Sequence, residues 1–352
     1  MKALLRKLQL WVWTYGFALG LTIVRSIGQR IRMSHDNGVV GSGRLTIVET
    51  PAFPPHDFFQ PGRVFPCRLR HASVSYPDDA ALQVRAASLK FNDHQWKSPF
   101  DIEMNTGTVS VFWSARNFFE FASLNDRKGW VSFTHYYAKY PQGLRAAQNG
   151  AREDPPSFAL LWYHSQTPTL FIGKDGIRRY VKYRFLPEDT SQPEPGIPSA
   201  ERLANIGDVR PLPGEVRDRN YLKGEYAARV TAGPVIYRLQ LQLHTPSPED
   251  SPEIFNSNKE WDEATHPWME LARVEITTVH SWDEAVLTWT SVSHAPPSLA
   301  VIPAHDVDDY NSLTYMRARM GMVKRMRIFM SELVGIPHRP SNQRIVGDNP
   351  WY

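Results

Sequence analysis

The sequence predicts an α+β protein built on a large antiparallel β-sheet or barrel. From Arg44 onward, short apolar runs are separated by proline, glycine and aspartate, and several runs alternate apolar and polar residues. A period of two is the pattern of a half-buried strand, and residues 235–244 (VIYRLQLQLH) show it most regularly. Proline supplies 28 of the 352 residues, above the usual ~5%, which favours strands and loops over a helical bundle.

The elements follow one another along the chain without an internal repeat. Strands are predicted at 45–49, 63–76, 83–91, 100–113, 169–173, 180–185, 235–244, 272–279 and 298–303. Helices are predicted near 114–123, 141–148, 217–231 and 311–333, with Asp308 or Asp309 near the start of the last one. Gly38, Gly41 and Gly43 form a GxxGxG motif that we interpret as a tight turn before the first strand.

An uncharged apolar segment lies near the N-terminus, over residues 8–24. Its 17 residues reach the lower limit of the ~17–25 that a membrane-spanning helix needs. Basic residues lie on both sides of it: Lys2, Arg6, Lys7, Arg25, Arg30 and Arg32. No small-residue cleavage site follows, which argues against a cleaved secretory signal. Two interpretations stay open, a membrane anchor or in-plane helix and a helix that is buried or faces a partner.

The domain assignment follows from this segment. We assign residues 1–30 to an N-terminal apolar helix and 31–352 to one domain, and we expect an intracellular, membrane-associated protein. The net charge of +4, from 40 basic and 36 acidic residues, does not indicate nucleic-acid binding. The single cysteine, Cys67, excludes an intrachain disulfide and a multi-cysteine metal site. The 12 histidines are scattered, without the spacing of a zinc site on a helix.

One constellation of residues carries a specific resemblance. Ser34 and His35 follow the apolar segment, Arg70 lies in the strand predicted at 63–76, and Asn105 lies in the one at 100–113. With this order and spacing the chain resembles the haem catalase superfamily, and within it the branch of coral allene oxide synthase and small catalase-related peroxidases. The matching stretches are 32–80, 84–91, 101–113, 265–268 and 296–313. The resemblance implies a catalase-type antiparallel β-barrel with surrounding helices.

The resemblance also implies roles for individual residues around a haem. His35 corresponds to the distal histidine, which moves a peroxide proton between the two oxygens. Ser34 corresponds to the neighbour that hydrogen-bonds this histidine, and Asn105 to the distal asparagine that donates to peroxide. Arg32 and Arg70 correspond to arginines that pair with the haem propionates, for which a guanidinium is well shaped.

On the proximal side the sequence departs from the family. The family has an arginine and, four residues later, the tyrosine that ligates the iron. Arg317 matches that arginine, but Gly321 stands at the tyrosine position. Tyr315 and Arg319 form another pair four residues apart, so a shifted register is a fallback in which Tyr315 is the ligand. Otherwise the iron is held by water or another group, or haem has been lost.

Two functions from different classes follow. The first is a haem enzyme that acts on organic hydroperoxides, with fatty-acid hydroperoxides as one candidate class, and with the lipid hydroperoxide or a membrane surface as its partner. The second is a catalase-fold pseudoenzyme that serves as a membrane-associated structural or binding subunit of a protein complex. Rapid dismutation of hydrogen peroxide is not expected, because it depends on the phenolate ligand that Gly321 lacks. No nucleic-acid partner is expected.

Overall fold

The structure is a computed structural model that describes residues 1–32, 34–36, 38–74, 78–124, 126–127, 131–204, 206 and 214–339. The strands are β1 Gly38–Ile47, β2 Val64–Ser73, β3 Gln83–Lys90, β4 Asp101–Thr106, β5 Asp126–Arg127, β6 Val131–Ser132, β7 Ala151–Arg152, β8 Tyr163–His164, β9 Thr169–Ile172, β10 Arg178–Pro187, β11 Val235–His244 and β12 Met269–Val279. The helices are α1 Lys2–Leu21, α2 Ala115–Ser123, α3 Thr134–Lys139, α4 Pro141–Gly150, α5 Ala200–Leu203, α6 Tyr221–Ala232, α7 Trp282–Leu287, α8 Ser312–Arg319 and α9 Gly321–Glu332, and a π-helix, Thr22–Gln29, continues α1.

Eight of these strands close into an antiparallel barrel, which confirms the predicted fold class. The strand order is β1, β2, β3, β4, β8, β10, β11 and β12, and the ring closes because β12 also pairs with β1. β9 pairs with β10, and β7 pairs with β3, beside this ring. Alternate residues of each strand fill the interior; on β4, for example, Ile102 and Met104 belong to the barrel core.

The residues of β2 and β4 that alternate with these core residues point away from the barrel interior, yet they do not lie at the molecular surface. Arg68 and Arg70 of β2 are buried because helices cover this side of the barrel. α7 packs against β1, and Ser281 caps the start of α7 by accepting a hydrogen bond from the Glu284 backbone N–H. The region between the outer barrel wall and the helices α7, α8 and α9 is where the predicted site residues lie.

The N-terminal helix packs against this helical layer. α1 and the π-helix contact α8 and α9, and one face of α1 shares an apolar cluster with them. The shared cluster includes Leu10, Ala18, Leu21, Ala115, Leu313, Met316, Met320 and Val323.

Three sequence-based interpretations of local structure were wrong. The GxxGxG motif is part of strand β1 and not a turn, and its glycines permit close packing: a Cβ on Gly38 would lie 2.7 Å from the Arg70 guanidinium carbon. Residues 298–303 form no strand; a short 3-10 turn, Pro297–Leu299, begins there. The helix predicted over 311–333 is two helices, because Met320 ends α8 and Gly321, a poor helix former, begins α9.

Candidate functional site

The outer barrel wall brings several predicted site residues into register. Arg70 of β2 lies opposite Ser88 of β3, which in turn lies opposite Glu103 of β4. In the next row of the same face, Ala72 pairs with Ala86, and Ala86 pairs with Asn105. Because the alternation of a strand puts every second residue on one face, Arg70, Glu103 and Asn105 share a wall whose other residues in these rows are small.

Two arginines on this side are buried without a carboxylate partner. Arg32 donates from Nη1 to the carbonyl oxygens of Val286 and Thr288, at 2.6 and 2.9 Å, and stacks on the Trp289 ring. Arg70 donates from Nε to the Ala285 carbonyl at 2.9 Å. Within the described part of the chain, neither guanidinium forms an ion pair with a carboxylate, and Arg32 Nε has no partner.

These unpaired cations are energetically costly in the free protein. Burial lowers the pKa of Arg70 to about 9. Burial, together with the charge of Arg70, holds the pKa of Arg32 well below its usual value. A buried ion is stabilised when an opposite charge shares its environment. The pair is therefore suited to a ligand that carries carboxylates.

His35 lies on the loop that follows the π-helix, in a conformation that few non-glycine residues adopt. Its φ is 54°, in the left-handed region, and its backbone N–H donates to the carbonyl oxygen of Val74 at 3.4 Å, just after β2. Nδ1 lies 2.7 Å from Ser34 Oγ, and Nε2 has no hydrogen-bond partner among the described residues. Strained backbone of this kind is often found where a side chain must take one orientation.

The electrostatic environment keeps His35 neutral. Desolvation lowers the pKa of His35 to about 3, and the charges of Arg70, Arg32 and Arg317 lower it as well, against an opposing effect of Glu103. The imidazole is only half-buried although desolvation dominates the shift, so its free edge borders an internal space. The structure thus brings His35 together with all three arginines that the sequence singled out.

Asn105 lies on strand β4, on the same outer wall of the barrel as Arg70 and Glu103. Its side chain is half-buried, and its amide makes no hydrogen bond within the described residues. Val74 follows β2 and Asn105 lies on β4, so two strand spacings, or about 10 Å, separate the two backbones. His35 and Asn105 therefore each offer a side chain that makes few or no hydrogen bonds within the described residues, at neighbouring parts of the same wall.

Glu103 connects the barrel wall to the last two helices. Its Oε2 accepts a hydrogen bond from Arg317 Nη2 at 2.8 Å, and its Oε1 accepts one from Lys324 Nζ at 3.2 Å. Thr290 Oγ1 donates to the same carboxylate at 3.0 Å. Desolvation alone would raise the pKa of Glu103, but Lys324 and Arg317 outweigh it, and the pKa is held well below its usual range. Arg317 is therefore engaged with a protein carboxylate.

Gly321 lies four residues after Arg317, across the break between α8 and α9, and three residues before Lys324 on α9. The side chains of both of these basic residues bind Glu103. A Cβ built on Gly321 would meet no atom within 4 Å, so the position borders open space. Tyr315 is placed elsewhere. Its ring packs against the cluster shared with α1, and the Arg319 guanidinium carbon stacks over it at 3.3 Å.

Sequence reasoning assigned no role to Glu103, Lys324, Thr290 or Trp289. Glu103 had a signal that could have been used, because it is two residues from Asn105 on one strand and so shares its face. Lys324 belongs to a basic stretch of α9, which by itself does not indicate a site. Thr290 and Trp289 lie in an irregular loop after α7, where no periodicity indicates which way a side chain points.

Sequence comparison finds relatives whose similarity spans most of this chain. This chain is 39% identical over 308 residues to an allene oxide synthase-lipoxygenase protein of Plexaura homomalla, and the match covers 86% of this chain and 28% of that protein. It is 27% identical over 299 residues to a linolenate 9R-lipoxygenase of a Nostoc strain, covering 81% of this chain and 37% of that protein. The chain thus spans about a third of the length of these relatives. No protein-family model matches it.

Solved structures show the same fold at lower sequence identity. A bacterial catalase superposes with a TM-score of 0.65 at 17% identity, covering 90% of this chain and 60% of that one. A fungal catalase superposes with a TM-score of 0.59 at 15% identity, covering 91% of this chain and 62% of that one. At these identities the likeness establishes the fold.

Proposed function

The chain belongs to the catalase superfamily, near the branch of coral allene oxide synthase, and from this premise we propose that it is a haem protein that acts on organic hydroperoxides. The observation that carries the proposal is the pair of buried arginines, Arg32 and Arg70, that have no carboxylate partner among the described residues, close to a neutral His35. The names of the two longer relatives refer to enzymes of lipid oxidation, which supports an organic hydroperoxide as substrate.

The residues present fit a haem on the distal side. The two guanidiniums would hold its propionates, and the small residues Ala72, Ala86 and Ser88 leave the barrel wall open beside them. On the proximal side the fit is incomplete, because Gly321 offers no ligand atom and Tyr315 packs against α1. In this proposal neither residue would ligate the iron, and an exogenous ligand such as water would take that place.

When bound, the haem iron would supply the redox chemistry that breaks an O–O bond. The chain's own residues would manage the proton. In the tautomer in which Nδ1 donates to Ser34 Oγ, the lone pair of His35 Nε2 is free to accept the hydroperoxide proton and return it to the other oxygen. Burial and the neighbouring arginines lower the pKa of His35 to about 3, so its Nε2 lone pair is unprotonated over the physiological pH range.

The remaining site residues would orient the substrate. The Asn105 amide, which makes no hydrogen bond within the described residues, would donate an N–H to a peroxide oxygen from a fixed position on a barrel strand. Ser34 would hold the imidazole plane by its hydrogen bond to Nδ1. Oriented groups of this kind act by holding the reacting bond in one geometry.

A second candidate function is a haem-free catalase-fold subunit of a membrane-associated complex. The observation that favours it is Gly321, together with the ion pair that engages Arg317 with the protein carboxylate of Glu103. In this case the distal residues would be remnants, and the buried arginines would bind another anion.

A haem titration separates the two candidates. The purified full chain is mixed with haemin, and the Soret band is followed, together with consumption of a fatty-acid hydroperoxide. We expect stoichiometric binding and turnover, and we expect His35→Gln to bind haem but to lose turnover about 10²–10⁴-fold. The exposed His305→Gln serves as the matched control and should behave as the wild type. Absence of a Soret band would reject the haem proposal, and full turnover by His35→Gln would reject the role of that histidine.

A further inference from the structure

Exposed apolar side chains are concentrated on one part of this molecule. Of the 17 large apolar residues that are exposed in the described part of the chain, 13 lie between Met1 and Ile27 or at the end of α9 and just after it. They are Met1, Leu4, Leu5, Leu8, Trp11, Val12, Leu19, Ile23, Val24, Ile27, Phe329, Leu333 and Val334. Exposed patches of this kind in a folded protein mark an interaction surface.

Helix α1 is apolar on two opposite faces. One face, with Leu10, Ala18 and Leu21, is buried against α8 and α9. At 100° per residue, Leu8 and Val12 lie nearly opposite that face, and both are about half exposed (53% and 51%). The protein uses only the first face for its own core, so the second face is available to something else.

The packing of α1 argues against a helix that crosses a membrane. The segment Lys2–Gln29 is long and apolar enough to span a bilayer by length and composition alone, with a mean hydropathy of 1.3. One side of it, however, lies along the protein from Leu10 to Leu21, and Thr14 on this side is completely buried. A helix fixed in this way can meet lipid with its outer face only, which is the geometry of an in-plane helix.

The apolar surface continues from α1 onto α9. The π-helix is attached to α9 by Ser26, whose Oγ donates to the Val323 carbonyl at 2.9 Å and whose carbonyl accepts from Arg327 Nη1 at 2.7 Å. Ile23 and Ile27 of the π-helix and Phe329 of α9 remain exposed beside this junction. The surface is therefore wider than a single helix.

Most of the charges around this surface are basic, although the acidic Glu332 is exposed next to Leu333 at the end of α9. Residues 2–29 contain four basic and no acidic side chains. Lys2 and Lys7 are exposed and form no ion pair within the described residues. On α9, Arg325 is also exposed, four residues before Phe329. Apolar side chains bordered by unpaired cations complement the acyl region and headgroups of an anionic bilayer.

We propose that this surface, formed by the exposed face of α1, the π-helix and the end of α9, docks in the plane of an anionic lipid bilayer. The membrane-docking face consists of the 13 residues named above, with Lys2, Lys7 and Arg325 at its border. This proposal does not depend on haem, so it can succeed or fail independently of the proposed catalysis.

Vesicle flotation tests the proposal. The full chain is incubated with vesicles of phosphatidylcholine alone, or of phosphatidylcholine mixed with phosphatidylserine, and floated through a density gradient. We expect flotation with the mixed vesicles and much less with phosphatidylcholine alone. The double variant Leu8→Glu/Val12→Glu should lower the bound fraction about tenfold. The variant Lys2→Glu/Lys7→Glu should remove the preference for phosphatidylserine.

A matched control uses exposed apolar residues elsewhere. Val64→Glu/Ile177→Glu changes two residues that are 57% and 46% exposed, outside the membrane-docking face. It should float like the wild type, and circular dichroism melting should be the same for all variants. No flotation of the wild type, or equal loss in the control, would overturn the proposal. Retention on the vesicles after alkaline carbonate would overturn it in favour of a spanning helix.

A second copy of the chain is the alternative occupant of this face. Sedimentation equilibrium without lipid distinguishes a dimer from the membrane-bound monomer. The membrane proposal would be overturned if the wild type were a dimer that does not bind vesicles and if Leu8→Glu/Val12→Glu converted that dimer to a monomer. A monomer that floats with anionic vesicles supports it.

Discussion

The Glu103 carboxylate accepts a 2.8 Å hydrogen bond from the Arg317 guanidinium and so joins barrel strand β4 directly to helix α8. Lys324 of α9 binds the second oxygen of the same carboxylate. One acidic residue on the barrel wall therefore holds both of the helices that flank Gly321. The side chains of all three residues are less than one-third exposed, so solvent screens the network only partly.

Replacing Glu103 tests how strongly this network holds the helices. In Glu103→Gln, Arg317 and Lys324 lose their shared counter-charge in a partly buried place, and we expect the free energy of unfolding to fall by about 3 kcal/mol at neutral pH. Urea denaturation measures this change. Glu188→Gln is the control, since its pair with Arg273 is about half exposed and should contribute less than about 1 kcal/mol. Equal losses in the two variants would contradict a special role for Glu103.

Arg70 should matter more for haem than for folding. Arg70→Met removes a buried charge that has no carboxylate partner, so the lost hydrogen bonds and the relieved desolvation offset each other, and stability should change by about 1 kcal/mol or less. Haem affinity should fall roughly 10–100-fold, the effect of losing a charge-assisted hydrogen bond. Haemin titration and thermal melting of the haem-free protein measure the two quantities.

The matched control for Arg70 is Arg68, two residues earlier on the same face of β2. Arg68 already has two carboxylate partners, Asp93 at 2.5 Å and Glu284 at 3.5 Å. Arg68→Met should therefore lower stability and leave haem affinity unchanged. If both variants weakened haem binding equally, the assignment of Arg70 to a propionate would be wrong.

Introducing a tyrosine at Gly321 tests the proximal position. A Cβ there meets no atom within 4 Å, and Arg317, four residues earlier, would favour an ionised phenol. We expect Gly321→Tyr to fold and to change the absorption spectrum of the haem complex to that of a phenolate-ligated iron. Gly321→Phe, which adds the ring without the hydroxyl, should keep the wild-type spectrum. Tyr315→Phe should also keep the wild-type spectrum. A changed spectrum in that variant would instead favour the alternative in which Tyr315 is the iron ligand.

The stability of the protein should fall in mild acid. Burial lowers the pKa of His71 to about 3, with a smaller contribution from Arg70, whereas the unfolded value is about 6.5. Between these values the unfolded chain binds the extra proton, so stability is greatest above pH ~6.5 and decreases as the pH falls toward ~3. His71 should contribute a slope of at most about 1.4 kcal/mol per pH unit.

Denaturation at several pH values between neutral and mildly acidic measures that slope. His71→Gln should reduce this slope by up to the contribution of one proton, about 1.4 kcal/mol per pH unit. The reduction should appear whatever the variant does to absolute stability through the lost contact with Tyr237. An unchanged slope in His71→Gln would show that this histidine does not titrate as described.

The barrel could be predicted because its strands carry a local signal. Residues 235–244 alternate along their whole length, and β11 has those bounds. Strand β1 was predicted too short, because glycines lower the apparent strand signal where neighbouring groups need to approach closely. The break between α8 and α9 was also missed, since amphipathic periodicity continues through Gly321.

The candidate site could be predicted only where single residues correspond to a known pattern. His35, Asn105 and the arginines were found in this way. The partnership of Glu103 with Arg317 was not, because it joins residues 214 positions apart and depends on how α8 docks on the barrel. Likewise, the free face of α1 depends on which half of an all-apolar helix the rest of the protein covers.

The ion pair between Glu103 and Arg317 also bears on cofactor exchange. In a protein whose helix is tied to an iron atom, loss of the metal removes one of the bonds that hold that helix. Here α8 is held to the barrel by ion pairs between protein side chains. The position of this helix would therefore not depend on whether a cofactor is bound. If haem binds as proposed, its loading and release would leave these ion pairs intact.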